Sequence, residues 1–244
     1  MSRRRLLIDA GNSSLKWAVV EDGQWRAQGR SDYADWSALK AQATAGTRCY
    51  VASVAQAVHE QHLAALLEAA GIAPVWLKAE AVFADLKNAY RNPQQLGVDR
   101  WMGLIAARQR TRGPVLVVSV GTAMTVDALT ADGVFLGGVI VPGAALMRQA
   151  LRHGTAQIAD TQGAWLAFPR ATADAVESGI VAALCGAIQL QHGRLREIAG
   201  TVPQCLLTGG DAGMLVSHLG VPAEQVPALI LEGVDSVARE RESQ

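Results

Sequence analysis

The sequence predicts an α/β protein made of two domains that share one architecture. Three observations lead there. Apolar runs of strand length alternate with helically patterned stretches along the 244 residues. "LLIDAGNSSLKWAVVEDGQW" from Leu6 and "LVVSVGTAMTVDALTADGVF" from Leu116 match without gaps at a constant offset of 110 residues. In each copy an apolar strand reaches a small-residue turn, a second strand follows, and Asp-Gly marks the next hairpin. Chance similarity of two hairpins is the competing reading; a repeated meander means a duplicated domain. The division falls near Gly113, giving domains 1–113 and 114–244.

The elements follow in order. The first strand, Leu6-Leu7-Ile8, ends on Asp9 and turns through Gly11, Asn12, Ser13 and Ser14. "HEQHLAALLEAAG" has apolar residues at helical spacing and ends on Gly71, a helix-terminating glycine. "APVWL" reads as a short strand. "NAYRNPQQLGVDRWMGLIAARQRTRG" is a loop with an Asn-Pro turn, then a helix from about Val98 to Arg112. In the second copy, residues 137–152 read as strand, Pro-Gly turn and helix. Thr172 to Ala199 is a long helical stretch carrying Gly179 and Gly186, and "PQCLLTGGDAGMLVSHLG" is a strand, a Gly-Gly turn and a helix.

Composition narrows the function. Half of the residues are hydrophobic and the net charge is zero, which gives no support to a nucleic-acid binder working by phosphate neutralisation. The short Arg3-Arg4-Arg5 run reads as a solvated terminus. No uninterrupted apolar run reaches the roughly 18 residues of a membrane span, and no secretory signal follows the first arginines. Cys49, Cys185 and Cys205 are odd in number and widely spaced, which suits a reduced, cytoplasmic protein. His59 and His62 share a helix face without an acid or cysteine to complete a metal set, so they read as solvated.

The chemistry concentrates at strand ends. A turn of Gly, Asn and Ser turns N–H groups and hydroxyls outward, where phosphate oxygens are received. A carboxylate at that point repels phosphate unless a cation lies between, so Asp9 fits a Mg²⁺ site, directly or through water. Lys16 adds positive charge. Gly121-Thr122 repeats the turn in the second domain, and Thr208-Gly209-Gly210 gives a third. Each is commonly just a turn, and a structural hairpin is the bland reading of the first. In "LGVDRW", Asp99 sits in the first turn of a predicted helix. It is either a helix-favouring acid or a base for a hydroxyl that attacks a γ-phosphoryl group.

The ordered segments "DAGNSSLK", "NAYRNPQQLGVDR", "GTAMT", "GGVIVPG", "TADAVESG" and "LTGGDA" resemble the type III pantothenate kinases. These belong to the actin-like ATPase superfamily, with duplicated ribonuclease-H-like domains and mixed sheets flanked by helices. The resemblance implies a transferase that phosphorylates pantothenate with MgATP, the first step of coenzyme A biosynthesis. Asp9, Ala10, Gly11, Asn12, Ser13, Ser14, Leu15 and Lys16 match the first ATP phosphate loop, and Thr122 matches a second-domain contact to ATP. Tyr90, Gly97, Val98, Asp99, Arg100 and Thr172 match positions that bind pantothenate, and Asp99 matches the proton acceptor. A homodimer is implied, and Gly179, Ala182, Ala183, Gly186 and Ala187 would let another helix approach; internal packing explains the same pattern.

One departure stands out. The family pattern has an Asp that binds a monovalent cation, K⁺ or NH₄⁺, where this chain has Ser119. Two outcomes are open: activity that depends less on the cation, or a substitute acid such as Asp127. Two rival functions also stand beside the kinase. One is another small-molecule kinase of the superfamily; the other is a non-catalytic transcription accessory factor. Retention of Asp9, Lys16, Asp99 and Thr122 favours the enzyme.

Overall fold

The computed structural model describes residues 4–155 and 163–243, so Arg3 of the arginine run lies outside the described residues. Two compact units divide the described residues: 4–84, 90–109 and 228–243 in the first, 85–89, 110–155 and 163–227 in the second.

In the first unit, β1 (Arg4–Ala10), β2 (Ser14–Glu21) and β3 (Gln24–Asp32) form an antiparallel meander, and β4 (Arg48–Ser53) and β5 (Pro74–Trp76) add parallel on the far side of β1. The order is β3-β2-β1-β4-β5. Alternation along β1 sends Leu6, Ile8 and Ala10 to one face, where they join Leu15, Trp17, Val51, Leu63 and Leu67 in a core. Leu63 and Leu67 come from α2 (Ala57–Ala69), which follows α1 (Ser37–Lys40); Gly71, at φ +72°, is the terminator read from the sequence. Arg5, Leu7 and Asp9 therefore face the other way.

That second face is covered by α7 (Leu229–Ser243), which packs on β1, β2 and β4. Arg5, only 5% exposed, pairs with Asp235 at 3.0 Å and Glu242 at 3.1 Å, both on α7. Glu242 also meets Arg48 at 3.2 Å and accepts from the Tyr50 hydroxyl at 3.3 Å. Burial works against its charge, but the hydrogen bonds and charges of Arg48 and Arg5 outweigh it and hold its carboxyl below the ordinary value. Gly233 sits against α3 (Val98–Arg110) so closely that a Cβ there would stand 1.9 Å from the Met102 carbonyl oxygen. The division at residue 113 is thus corrected: the last helix belongs with the first unit, because its apolar side and its acids have their partners there.

The second unit repeats the plan. β8 (Val115–Val120), β9 (Ala123–Leu129) and β10 (Val134–Pro142) form the meander; β11 (Gln204–Thr208) and β12 (Glu224–Gln225) continue parallel beyond β8. Its sheet runs β12-β11-β8-β9-β10-β7-β6, with the short strands β6 (Val82–Phe83) and β7 (Leu86–Asn88) as additions. The shared order of five strands establishes the duplication that the 110-residue offset predicts. Leu116, Val118 and Val120 pack with Ile180, Leu184 and Ile188 of α5 (Thr172–Ala199), between α4 (Ala144–Gly154) and the four-residue α6 (Gly213–Val216). α5 is long and apolar enough to cross a membrane, with an 18-residue window of mean hydropathy 1.4. A strict run-length criterion misses it; its buried side nevertheless belongs to this core.

Candidate active site

Two buried carboxylates of the first unit, Asp9 and Asp99, are near enough for the charge of Asp99 to act on Asp9. Asp9 is the penultimate residue of β1 and stands opposite Lys16 of β2 in the hairpin register, so the two side chains share a face. The turn between them is closed by the Gly11 N–H donating to the Ser14 carbonyl at 3.1 Å, and Asn12 and Ser13 are exposed. Ala10 and Leu15 are in the core, at 2% and 0% exposure, so of the predicted 9–16 loop they offer a ligand only backbone.

Asp99 comes to the same place from α3. The sequence enters this helix through a 3₁₀ turn, Pro93–Gln95, capped by Asn92, whose side chain accepts from the Gln94 N–H at 3.2 Å. The Asp99 carboxylate accepts from the Arg100 N–H at 2.8 Å. It also lies over Gly97: a Cβ on that residue would be 2.6 Å from Asp99 Oδ1. Glycine is therefore required there for the carboxylate to keep its position.

The electrostatics follow from that arrangement. Asp9 is only 8% exposed, and burial, then the charge of Asp99, push its pKa to about 7, against the opposing pull of Lys16. Burial also raises Asp99, offset by the Arg100 N–H and charge. A buried acid under the repulsion of a second acid, with a lysine opposite, offers hard oxygen whose charge a divalent cation such as Mg²⁺ would relieve. The residues present fit that ion. Among the described residues no group of three or more His, Cys, Asp or Glu forms a fuller metal cage.

Tyr90 and Arg100, predicted as substrate contacts, are brought together. Arg100 is 7% exposed, donates to the Tyr90 hydroxyl at 2.9 Å, and places its guanidinium carbon 5.6 Å from the ring centroid. A buried cation next to a phenol is suited to a carboxylate ligand. Val98 is in the core and contributes position only.

Sequence reasoning missed Tyr33. Its hydroxyl donates to the Gly11 carbonyl, and its ring stacks on His59 with centroids 3.7 Å apart and planes 7° apart. Burial, Asp9 and Glu60 push its pKa to about 12, so it remains a donor. His62 lies 4.6 Å from Trp36 but stays exposed, as the sequence reading has it, while His59 is half-buried against Tyr33. No motif marks Tyr33; only the register of β3, which pairs Asp32 with Ser14, brings it beside the turn.

The second unit holds the remaining predicted residues. Thr122 is exposed in the β8–β9 turn, and its carbonyl accepts from the Gly143 N–H at 2.9 Å. Gly209, at φ +100°, lies so near Val120 that a Cβ would stand 2.1 Å from its carbonyl oxygen. Within this unit the Gly121–Thr122 and Gly209–Gly210 turns therefore meet at the end of β8. Ser119 pairs with Thr125 of β9 and Thr208 of β11. Asp127, fully buried, lies on the same sheet face as Ser119, two residues along β9 from its partner. Thr172 begins α5 and lines an apolar groove of about 540 Å³ with Pro142, Met147, Leu151, Val176 and Ile180.

Known proteins resemble this chain along most of its length. The family model described as type III pantothenate kinase matches residues 5–194. The type III pantothenate kinase of Thiobacillus denitrificans is 64% identical over 239 residues, covering 98% of both chains. That of Aromatoleum aromaticum is 44% identical over 238 residues, 96% of this chain and 98% of its own. Among solved structures, a Campylobacter jejuni protein assigned to the Baf family of transcriptional activators superposes with a TM-score of 0.63 over 98% of this chain and 100% of its own. At 22% identity it speaks for the fold alone. Two meanders of one order, carboxylates at the end of the first, and similarity along the whole chain lead to one assignment: the protein is a member of the type III pantothenate kinase family.

Proposed function

We propose that this chain transfers the γ-phosphoryl group of ATP to the primary hydroxyl of pantothenate, with Asp99 as proton acceptor. The observation that carries the reading is the electrostatic coupling of Asp9 and Asp99, from different elements, at the end of β1. A base must be ionised yet basic, and burial gives Asp99 a pKa above an ordinary aspartate. It takes the hydroxyl proton as the new oxygen–phosphorus bond forms and ADP leaves. Lys16 and the N–H groups of the 11–14 turn neutralise phosphate charge, and Thr122 is kept as an ATP contact on the family resemblance. Arg100, held by Tyr90, orients pantothenate, whose carboxylate pairs with the guanidinium, and Thr172 is kept as a pantothenate contact on the family resemblance. Mg²⁺, held at Asp9 through water, supplies further neutralisation when bound.

The monovalent-cation response belongs to the same reading. Ser119 offers a neutral oxygen where the family pattern has an acid, and Asp127 shares its sheet face. K⁺ or NH₄⁺ is expected to stimulate weakly, through Asp127. A homodimer in the cytoplasm completes the proposal. Gly179, Ala182, Ala183 and Gly186 are exposed on α5 and the two glycines have nothing within 4 Å of a Cβ position, which leaves that side open to an approaching helix, while Ala187 packs against the core. Cys49, Cys185 and Cys205 are all free and buried. The test is ADP release from MgATP with and without pantothenate, in K⁺, NH₄⁺ or neither. Release that requires pantothenate supports the kinase; equal release with sugars or acetate in its place contradicts it.

A further inference from the structure

Tyr33 stands outside every motif that points to the kinase, yet it touches the turn on which that reading depends. β3 delivers it there: Ser31 pairs with Leu15 and Asp32 with Ser14, so the next residue emerges beside Gly11. The ring cannot easily leave. It is stacked on His59 at 3.7 Å, tilted 48° against Trp36 at 5.5 Å, and its carbonyl accepts from the Trp36 indole N–H at 2.9 Å. From that seat the hydroxyl holds the Gly11 carbonyl, while the Gly11 N–H is held by Ser14. Both polar groups of one loop residue are thus fixed.

The consequence is directional. In a trans peptide the carbonyl and the following N–H point opposite ways, and no peptide bond among the described residues is cis. Fixing the Gly11 carbonyl toward Tyr33 aims the Asn12 N–H away from the Tyr33 hydroxyl, and Asn12 is an exposed residue of the turn. We propose that Tyr33 is a positioning residue that presets the Gly11–Asn12 amide for the nucleotide phosphates. The inference rests on the ATP-binding reading of this loop. It predicts that the hydroxyl matters for nucleotide affinity and not for pantothenate.

The test is calorimetric binding of the Mg²⁺ complex of the non-hydrolysable analogue AMP-PNP to the parent, Tyr33→Phe and Tyr33→Leu proteins, with KM for pantothenate and melting temperature measured alongside. Phe keeps the stack and loses the donor. Its Kd is expected to rise about three- to tenfold, the worth of one hydrogen bond, with KM for pantothenate and melting temperature near the parent's. Leu, which loses the stack as well, should bind at least as weakly as Phe. Parent-like affinity in the Phe variant overturns the inference while leaving the kinase reading intact. So does a Leu variant that binds better than Phe, or a pantothenate KM that rises in step with Kd. A parent protein that binds no analogue overturns the inference and the ATP reading together.

Discussion

Asp9 is costly to the protein that carries it, and that cost is measurable. Burial and then Asp99 raise its pKa from 3.8 to about 7, despite Lys16. A carboxyl whose folded value is raised contributes its stability below the unfolded value and loses it as pH climbs through the folded one. The loss therefore runs from about pH 4 to about pH 7 in the metal-free protein. Three units at 1.36 kcal/mol each amount to roughly 4 kcal/mol in all, and about 3 kcal/mol of this falls between pH 5 and pH 8. Asp9→Asn has no charge to bury. The variant should gain on the parent by about 6–12 °C in melting temperature between those two pH values, at 2–4 °C per kcal/mol for a chain of this size. Scanning calorimetry in chelator at pH 5 and pH 8 measures it, as variant minus parent so that other titrating groups cancel. Adding Mg²⁺ at pH 8 should stabilise the parent and not the variant, and the variant should lose turnover. A difference that does not change with pH, or a variant less stable than the parent at pH 8, would refute the electrostatic account of this site.

Two further outcomes follow from the same geometry. Gly97→Ala should fold, because the clash falls on a side chain that can rotate, but it displaces the Asp99 carboxylate. Turnover should fall about 10²-fold, the lower end of what a general base supplies, and steady-state kinetics beside a melting curve reads both. Glu242→Gln should destabilise the protein by roughly 2–3 kcal/mol at neutral pH, since it leaves Arg5 and Arg48 with less charge to meet. That loss should shrink as pH falls through the lowered pKa of Glu242, and KM values should stay near the parent's.

Much of this was readable before any coordinates. The offset that carries Gly11 onto Gly121 is a direct record of duplicated meanders, because both copies need the same turn at the same strand end. α3 starts at Val98, where the sequence predicts a helix after the Asn-Pro turn, and ends at Arg110 rather than Arg112. What the sequence hid was tertiary. β4, with its apolar Cys49–Ala52 run, and α7 carry no turn or cap signal strong enough to mark them, and α7 is placed by its buried apolar side and the ion pairs of Arg5. The Asp9–Asp99 coupling spans ninety positions of chain, so no local pattern reports it. Resemblance named both residues without saying that they would share one electrostatic site. Tyr33 shows the same limit, since its neighbours are chosen by strand register and not by spacing.

The central claim is that Asp99 accepts the proton of the attacking hydroxyl. The most direct measurement is single-turnover formation of phosphopantothenate by Asp99→Asn, with pantothenate and nucleotide affinities determined on the same protein by calorimetry. The account predicts affinities close to the parent's and a transfer rate lower by about 10²- to 10⁴-fold. Transfer at the parent rate would remove Asp99 from this role and with it the mechanism built on the two carboxylates.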